Sequence, residues 1–477
     1  MPKGGPPLLQ LTTTCAACLS FVQALAGAEE KILTPVIASE WWQVAGDPDL
    51  GSYTTEKQQP VDFAVWQAED GTWQLWSCIR GTACGGHSRL FHRWEGEHLT
   101  DKHWTPKGIA MEADPSLGET PGGLQAPHVV KWRGRYIMAY GDWVHICFAT
   151  SQDGKTFERV IQPKGKTGVF SEGLEANTRD PMLIRIGDLW YCYYTAFPHG
   201  KGYGYCRISA DLKTWSHSCV VSYGGKVGPG PCNNECPHVV EPEPGTYYYF
   251  RNQFYGENAT NWIYRSKNPL QFGIDNDEGL VRSWHVAAPE ILFHEGQYYV
   301  ASLMDSLKGI QIARLNWVNV PLLGEAVFDL DDASFRESWT LKQGNLKGVF
   351  TRSKRADFGA TTTWFIGTAE VGDHRFDDDL TGIIESPPFQ VQDKRYLLLV
   401  SGGNGPDRLY VALVDGDTHE EVVKVTGTGS NALERIPIDT AQLVGRKAFV
   451  RIVDQAQGGW GHINFGGVYR DPLLPYE

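Results

Sequence analysis

Charge of either sign is scarce. Asp, Glu, Lys and Arg make up 21% of the 477 residues, and 43 Lys and Arg face 56 Asp and Glu, a net charge of −13. No basic cluster relieves that deficit, which excludes nucleic acid and anionic membrane as partners, since both are gripped through stripes of Lys and Arg. His87, His92 and Arg93 lie close together, but they do not make the basic pocket a phosphorylase needs for phosphate. Past the N-terminus no run of ~18 apolar residues occurs, so no membrane span is expected. Cys232, Cys236 and His238 lack the second Cys/His pair that would complete four zinc ligands.

What is abundant points elsewhere. Hydrophobic residues reach 42%, with 53 Gly and 17 Trp, a profile of short strands and turns rather than long charged helices. Aromatic faces and neutral hydrogen bonds suit sugars. Residues 1–28 read as a signal peptide: Lys3, an apolar stretch from Leu8 to Ala26, and small residues at Ala24, Ala26 and Ala28 for cleavage. The expected location is therefore secreted or periplasmic. Ten cysteines are present; Cys15 and Cys18 would leave with the signal. The remainder permit disulfides, and Cys192 and Cys206, flanking a hairpin, are candidates to pair.

A repeat runs through the first three hundred residues. Each copy has a polar residue, an apolar strand, a Gly-containing turn and an aromatic strand. The copies open at Asp62, Pro127-His128, Asp180, Glu235 and Pro289-Glu290, and their aromatic halves include Trp73–Trp76, Tyr136–Tyr140, Trp190–Tyr194, Tyr247–Phe250 and Tyr298–Val300. The steps between lead polar residues are 66, 52, 55 and 55. A second echo falls late in three copies: Ser151–Phe157, Ser209–Trp215 and Ser266–Phe272. This spacing predicts an all-β chain whose residues 35–325 form a five-bladed β-propeller. An acidic stretch, Asp329–Asp332, reads as a linker. The apolar runs Arg395–Val400 and Lys447–Val453 then predict a β-sandwich over residues 335–477.

The innermost strands of a propeller converge on its axis, which would gather Asp62, His128, Asp180, Glu235 and Glu290 at one funnel. Glycoside hydrolysis needs two carboxyl groups flanking the scissile bond, and clustered carboxylates push one another's pKa apart. Arg80, Arg251 and Asn252 follow inner strands and are candidates for sugar hydroxyls. Trp41, Trp42, Trp143 and Tyr203 are candidates to stack on sugar rings. His128 is placed either to orient a carboxylate or to hold a metal. No cofactor is expected and no metal ligand set is assigned, with the channel left open to a structural ion. The partner is an oligo- or polysaccharide; oligomeric state is not legible.

Two short motifs carry a resemblance. Thr178-Arg179-Asp180-Pro181 and Asn234-Glu235-Cys236-Pro237 resemble the Arg-Asp-Pro and Glu-Cys motifs of glycoside hydrolase family 32. The tail, with Ser386-Pro387-Pro388-Phe389, Ser401-Gly402-Gly403 and Gly458–Asn464, resembles that family's C-terminal sandwich. The resemblance implies a β-fructofuranosidase-like glycosidase with Asp62 as nucleophile, Asp180 stabilising the transition state, Glu235 as general acid/base and Arg179 on sugar hydroxyls. The family's first motif, Trp-Met-Asn-Asp-Pro-Asn-Gly, is absent; Gln59–Ala64 stands in its place and Gly46-Asp47-Pro48-Asp49 lies upstream. Asp62 is preferred to Asp47 because it opens the repeat's strand. The substituted motif leaves the sugar open between fructans and other plant or algal glycans, including the arabinan, xylan and galactan side chains of family 43 and the substrates of family 117. Carboxyl separation separates the mechanisms, ~5–5.5 Å for retention and ~6.5–9.5 Å for inversion. The reading from a different class is a glycan-binding propeller without catalysis.

Overall fold

A computed structural model describes residues 31–347, 349–352, 364–372 and 375–476. The expected signal peptide, residues 1–28, lies outside the described residues. The chain is nearly all β, and among the described residues no helix is long and apolar enough to cross a membrane. It divides into two compact units, Thr34–Val318 and a second containing Asn319–Glu477.

Five antiparallel sheets build the first unit. Their lead strands are Gln59–Gln67, Gln125–Trp132, Arg179–Ile186, Glu235–Glu243 and Glu290–His294. In four sheets the chain walks outward from the lead strand through its hairpin partners in sequence order. A continuous apolar run explains the first hairpin: Phe63, Ala64, Val65 and Trp66 are all buried, as residues of a strand covered on both faces must be. Each lead strand lies against the lead strand of the next sheet, and the fifth returns to the first. The fifth sheet mixes both ends of the unit: Lys31–Ile37 and Trp42–Gly46 pair with Gly309–Pro321, which pairs in turn with Gln297–Leu303.

The three late echoes are one structure. In Ser151–Phe157 the Ser151 hydroxyl bonds Asp153, Gly154 N–H donates to Ser151 Oγ, and the amides of Lys155 and Thr156 donate to Asp153 Oδ1. Ser209, Asp211, Leu212, Lys213 and Thr214 repeat every bond. Asn268 plays the acceptor in the third. The aromatic that follows plugs the gap beside the sheet: Phe157 against Trp66 and Trp76, Trp215 against Phe148 and Phe170, Phe272 against Tyr193 and Tyr249.

Two sheets of six and five strands build the second unit. One core lies between them, with Ile384, Val411 and Ile452 from the first meeting Ile366, Leu398 and Phe465 from the second. The acidic stretch expected as a linker is part of this unit. Leu330 is fully buried in its core, and Asp332 caps the short helix Ala333–Glu337 through Ser334 N–H.

The cysteines correct a sequence expectation. All eight described cysteines are free. Cys192 pairs across the ladder with Arg207 and Cys206 with Tyr193. The two thiols therefore belong to successive pairs and project from opposite faces of the sheet, Cys192 into one core cluster and Cys206 into another.

Candidate active site

One residue near the start of each lead strand takes a left-handed backbone: Asp62 (φ 37°), Ala126 (41°), Asp180 (55°), Cys236 (47°) and, two residues before its strand, Ala288 (49°). The pairing register shifts at the first four, the signature of a β-bulge. Such backbones cost of order 1–3 kcal/mol each and persist only where the surroundings impose them. Here each bulge turns one side chain inward at the end of its strand. Asn252 imposes the fifth: its Oδ1 accepts Ala288 N–H at 3.0 Å.

The bulges bring Asp62, Asp180 and Glu235 together around Cys236. Cys236 Sγ donates to Asp62 Oδ1 at 3.3 Å and lies 4.0 Å from Asp180 Oδ2, which also accepts the Cys236 amide at 3.1 Å. The Tyr255 hydroxyl is 3.5 Å from the same sulfur. Glu235 Oε1 accepts from Arg179 Nη2 at 2.6 Å, and Arg179 Nε lies 3.7 Å from Asp180 Oδ2. Arg89 Nη1 is 4.0 Å from Asp62 Oδ2.

Burial sets the electrostatics. It pushes the Asp62 carboxyl up from the ordinary range, with Glu235 adding to the shift and Arg89 opposing it. Burial, and then Asp62 and Glu235, push Asp180 up to about 7 against the pull of Arg179. Desolvated carboxyls of like charge disfavour joint ionisation, so this cluster holds a proton near neutrality. Asp180 Oδ1 is buried with no hydrogen-bond partner among the described residues.

His128 and Glu290, expected at the same funnel, sit in a separate layer. Both lie two residues past a bulge, with Ala64, Met182 and His238 at the corresponding positions of the other sheets, and all five line one cavity of about 360 Å³. His128 Nδ1 accepts Leu183 N–H and His238 Nε2 accepts Ile291 N–H, both at 3.2 Å, so each imidazole ties its lead strand to the next. Burial lowers His128 to about 4 and keeps it neutral. Ligand atoms of His128, His238 and Glu290 lie within 4.8 Å of one another, a donor set suited to a cation.

One expected substrate contact is corrected, and four others have protein partners. Arg251 is fully buried, and its guanidinium is spent on Asn233 O, Ser222 Oγ and Gly224 O; it braces a loop. Arg80 donates from both Nε and Nη2 to Gln59 Oε1. Trp143 has one face covered by His87, stacked at 3.7 Å, so it is not an open platform for a sugar. Tyr203 is likewise stacked on Tyr223, and Trp42 packs edge-on against Tyr299. Asp47, the alternative to Asp62, pairs with Lys308 and Gln58.

Sequence reasoning missed Arg89, Gln125 and Tyr255, and weighed Cys236 and His238 only as incomplete zinc ligands and as members of a motif and a repeat. Gln125 stands one residue before a bulge, as Arg179 and Glu235 do, and its buried Oε1 has no partner. That phase was the available signal.

No protein-family model matches the chain. A protein of Aspergillus rugulosus whose name describes a glycosyl hydrolase, ecdE, is 39% identical over 88 residues, which is 18% of this chain and 12% of that protein. Among solved structures, a thermostable family-43 glycoside hydrolase matches at 18% identity over 56% of this chain and 91% of that one, with a TM-score of 0.41. An endo-arabinase from Bacteroides thetaiotaomicron matches at 12% identity over 58% and 98%, TM-score 0.42. A family 43 arabinoxylan arabinofuranohydrolase from Bacillus subtilis matches at 12% identity over 86% and 95%, TM-score 0.39.

Proposed function

We propose that this chain is a secreted glycoside hydrolase working at the hub of a five-bladed β-propeller, with a C-terminal β-sandwich. The observation that carries the reading is the meeting of Asp62, Asp180 and Glu235 around one thiol, from three different sheets, with two of the carboxyls driven up by burial. Glycosidic cleavage asks for carboxyl groups held in different protonation states across one bond. The name of the Aspergillus rugulosus relative supports the same class. Asp62 acts as nucleophile or base, Asp180 holds sugar hydroxyls, and Glu235 is the acid/base, oriented by Arg179. The substrate is a plant or algal glycan, fructan-like or carrying family 43-type side chains.

The test is product analysis on fructans, arabinans and algal galactans, with the product anomer recorded, for wild type and Glu235→Gln. Hydrolysis by wild type that the variant loses supports the reading. Glycan binding by wild type without hydrolysis identifies a binding propeller instead.

A further inference from the structure

Arg89 is the hub guanidinium that no protein oxygen among the described residues holds by a hydrogen bond. Arg179 bonds Glu235 and Asn177 O, Arg80 bonds Gln59, and Arg251 bonds three oxygens. Arg89, its side chain 17% exposed, reaches Asp62 only at 4.0 Å, beyond hydrogen-bond length. No oxygen among the described residues accepts a hydrogen bond from its guanidinium. A guanidinium carries five donors in a planar fork; the Cys78 thiol takes one here, and leaving the others unmet in a half-enclosed site is costly unless a ligand takes them.

Its placement is rigid. Arg89 N–H donates to Gly122 O at 3.0 Å and the residue bridges to Gly123. Below it, the loops 85–88 and 121–122 interlock so tightly that a Cβ on Gly86 would stand 1.9 Å from Pro121 O, and one on Gly122 would stand 2.2 Å from Gly85 O. The guanidinium lies over the Trp143 ring at 5.1 Å, and that indole is itself fixed against His87. Stacking on an indole orients the fork and leaves its edge for a planar anion. Its Nη1 stands 4.0 Å from Asp62, and Asp180 is also within electrostatic reach, so the guanidinium borders the carboxyl cluster.

We propose that Arg89 is a specificity determinant that receives the carboxylate of a uronic acid, so that the preferred glycan presents an acidic sugar at the hub. This deepens the hydrolase reading and rests on it only for the choice of a sugar as ligand. The occupant is planar and anionic; a sulfate ester offers the same charge with tetrahedral geometry and is an outcome of the test.

The experiment titrates the full chain by calorimetry with D-glucuronate, D-galacturonate, D-glucose, D-galactose and galactose 6-sulfate. Wild type, Arg89→Gln and Arg89→Lys are compared, with thermal melts as the folding control. Wild type is expected to bind one uronate about 10-fold or more tighter than its neutral counterpart, the value of one charge-assisted pair. Arg89→Gln is expected to erase that preference, and Arg89→Lys, which keeps charge without the fork, to restore only part of it. Equal binding of acidic and neutral sugars, a preference that survives Arg89→Gln, or a preference for sulfate over carboxylate overturns the proposal. If Arg89→Gln does not fold, wild-type selectivity still decides. A uronate preference without any hydrolysis leaves this inference standing and removes the hydrolase reading. Hydrolysis confined to neutral glycosides does the reverse.

Discussion

Asp62 and Glu235 do opposite things with a proton in the proposed reaction, and their surroundings differ accordingly. Asp62 lies beside a thiol and the Arg89 guanidinium, whereas Glu235 is bonded to Arg179. Glu235→Gln and Asp62→Asn are each expected to lower kcat by about 10²–10⁴, the worth of a positioned proton-transfer group, while melting temperature holds. A steady-state assay alongside a thermal melt checks both. Cys236→Ser tests the thiol: it removes the sulfur that touches both aspartates, and a shift in the pH–rate profile is expected while the variant still turns over. The three carboxyls were legible because the repeat marks them. Arg89 was not, because it lies outside the repeat. The first step, 66 residues against 52 to 55 for the others, contains the loop that carries it, and that excess was the only hint. Nor does the sequence reveal that Asp62 and Asp180 occupy the bulge itself while Glu235 precedes one and Glu290 follows one. A one-residue bulge re-aims a side chain, and nothing in a strand's alternation announces it.

At the scale of the element, the sheets reuse two devices. The first is the Ser-Asp turn, read in the sequence as three echoes because its side chains themselves make the bonds. Ser209→Ala removes an acceptor from the Leu212 amide in a buried position. It is expected to cost about 1 kcal/mol, measurable by denaturant unfolding. The second device left no trace in the spacing. The Tyr140 hydroxyl and Arg159 both bond the buried carboxylate of Glu119, and one sheet later Tyr194 and Arg207 both bond Glu172. The partners come from loops of different length, so no fixed period relates them. Glu119→Ala strands a guanidinium and a phenol, and a loss of about 3–5 kcal/mol is expected, seen as a lowered unfolding midpoint of the first unit. The disulfide expectation failed at this scale as well, since proximity in a hairpin says nothing about which face each thiol takes.

For the whole molecule, pH is the revealing variable. Asp180 in the first unit and Asp454 in the second are each raised to about 7, in both cases chiefly by burial. A raised folded-state pKa means the native protein binds more protons than the unfolded chain between the ordinary carboxyl range and about 7. Stability is therefore fully present below that range and declines as pH rises through 7. Calorimetric scans from pH 4 to 8 are expected to show the second unit's transition falling, whereas in the first unit His92 and His128, each lowered to about 4 by burial, oppose Asp180 over the same range. Asp180→Asn removes the falling part of the first unit's dependence and Asp454→Asn flattens the second's. A rise in the second unit's stability across that range removes the Asp454 assignment, and an Asp180→Asn variant with an unchanged pH dependence removes that of Asp180. A change of strand pattern ahead of the expected linker at Asp329–Asp332 was legible, while the chain divides earlier, between Val318 and Asn319. The participation of Leu330 in the second core was not, because one apolar residue among acids gives no periodic signal.

The mixed fifth sheet has a consequence for synthesis. Among the described residues Lys31–Ile37 pairs with Gly309–Pro321, so an early strand of this sheet waits for one made almost three hundred residues later. Through most of translation the chain carries an open edge at each end, of the kind that invites pairing with another molecule. Any nascent chain stopped before residue 309 is an unclasped bracelet. Moving the break point by circular permutation, with the native ends joined, would place the clasp between two other sheets and change which part of the chain is exposed longest.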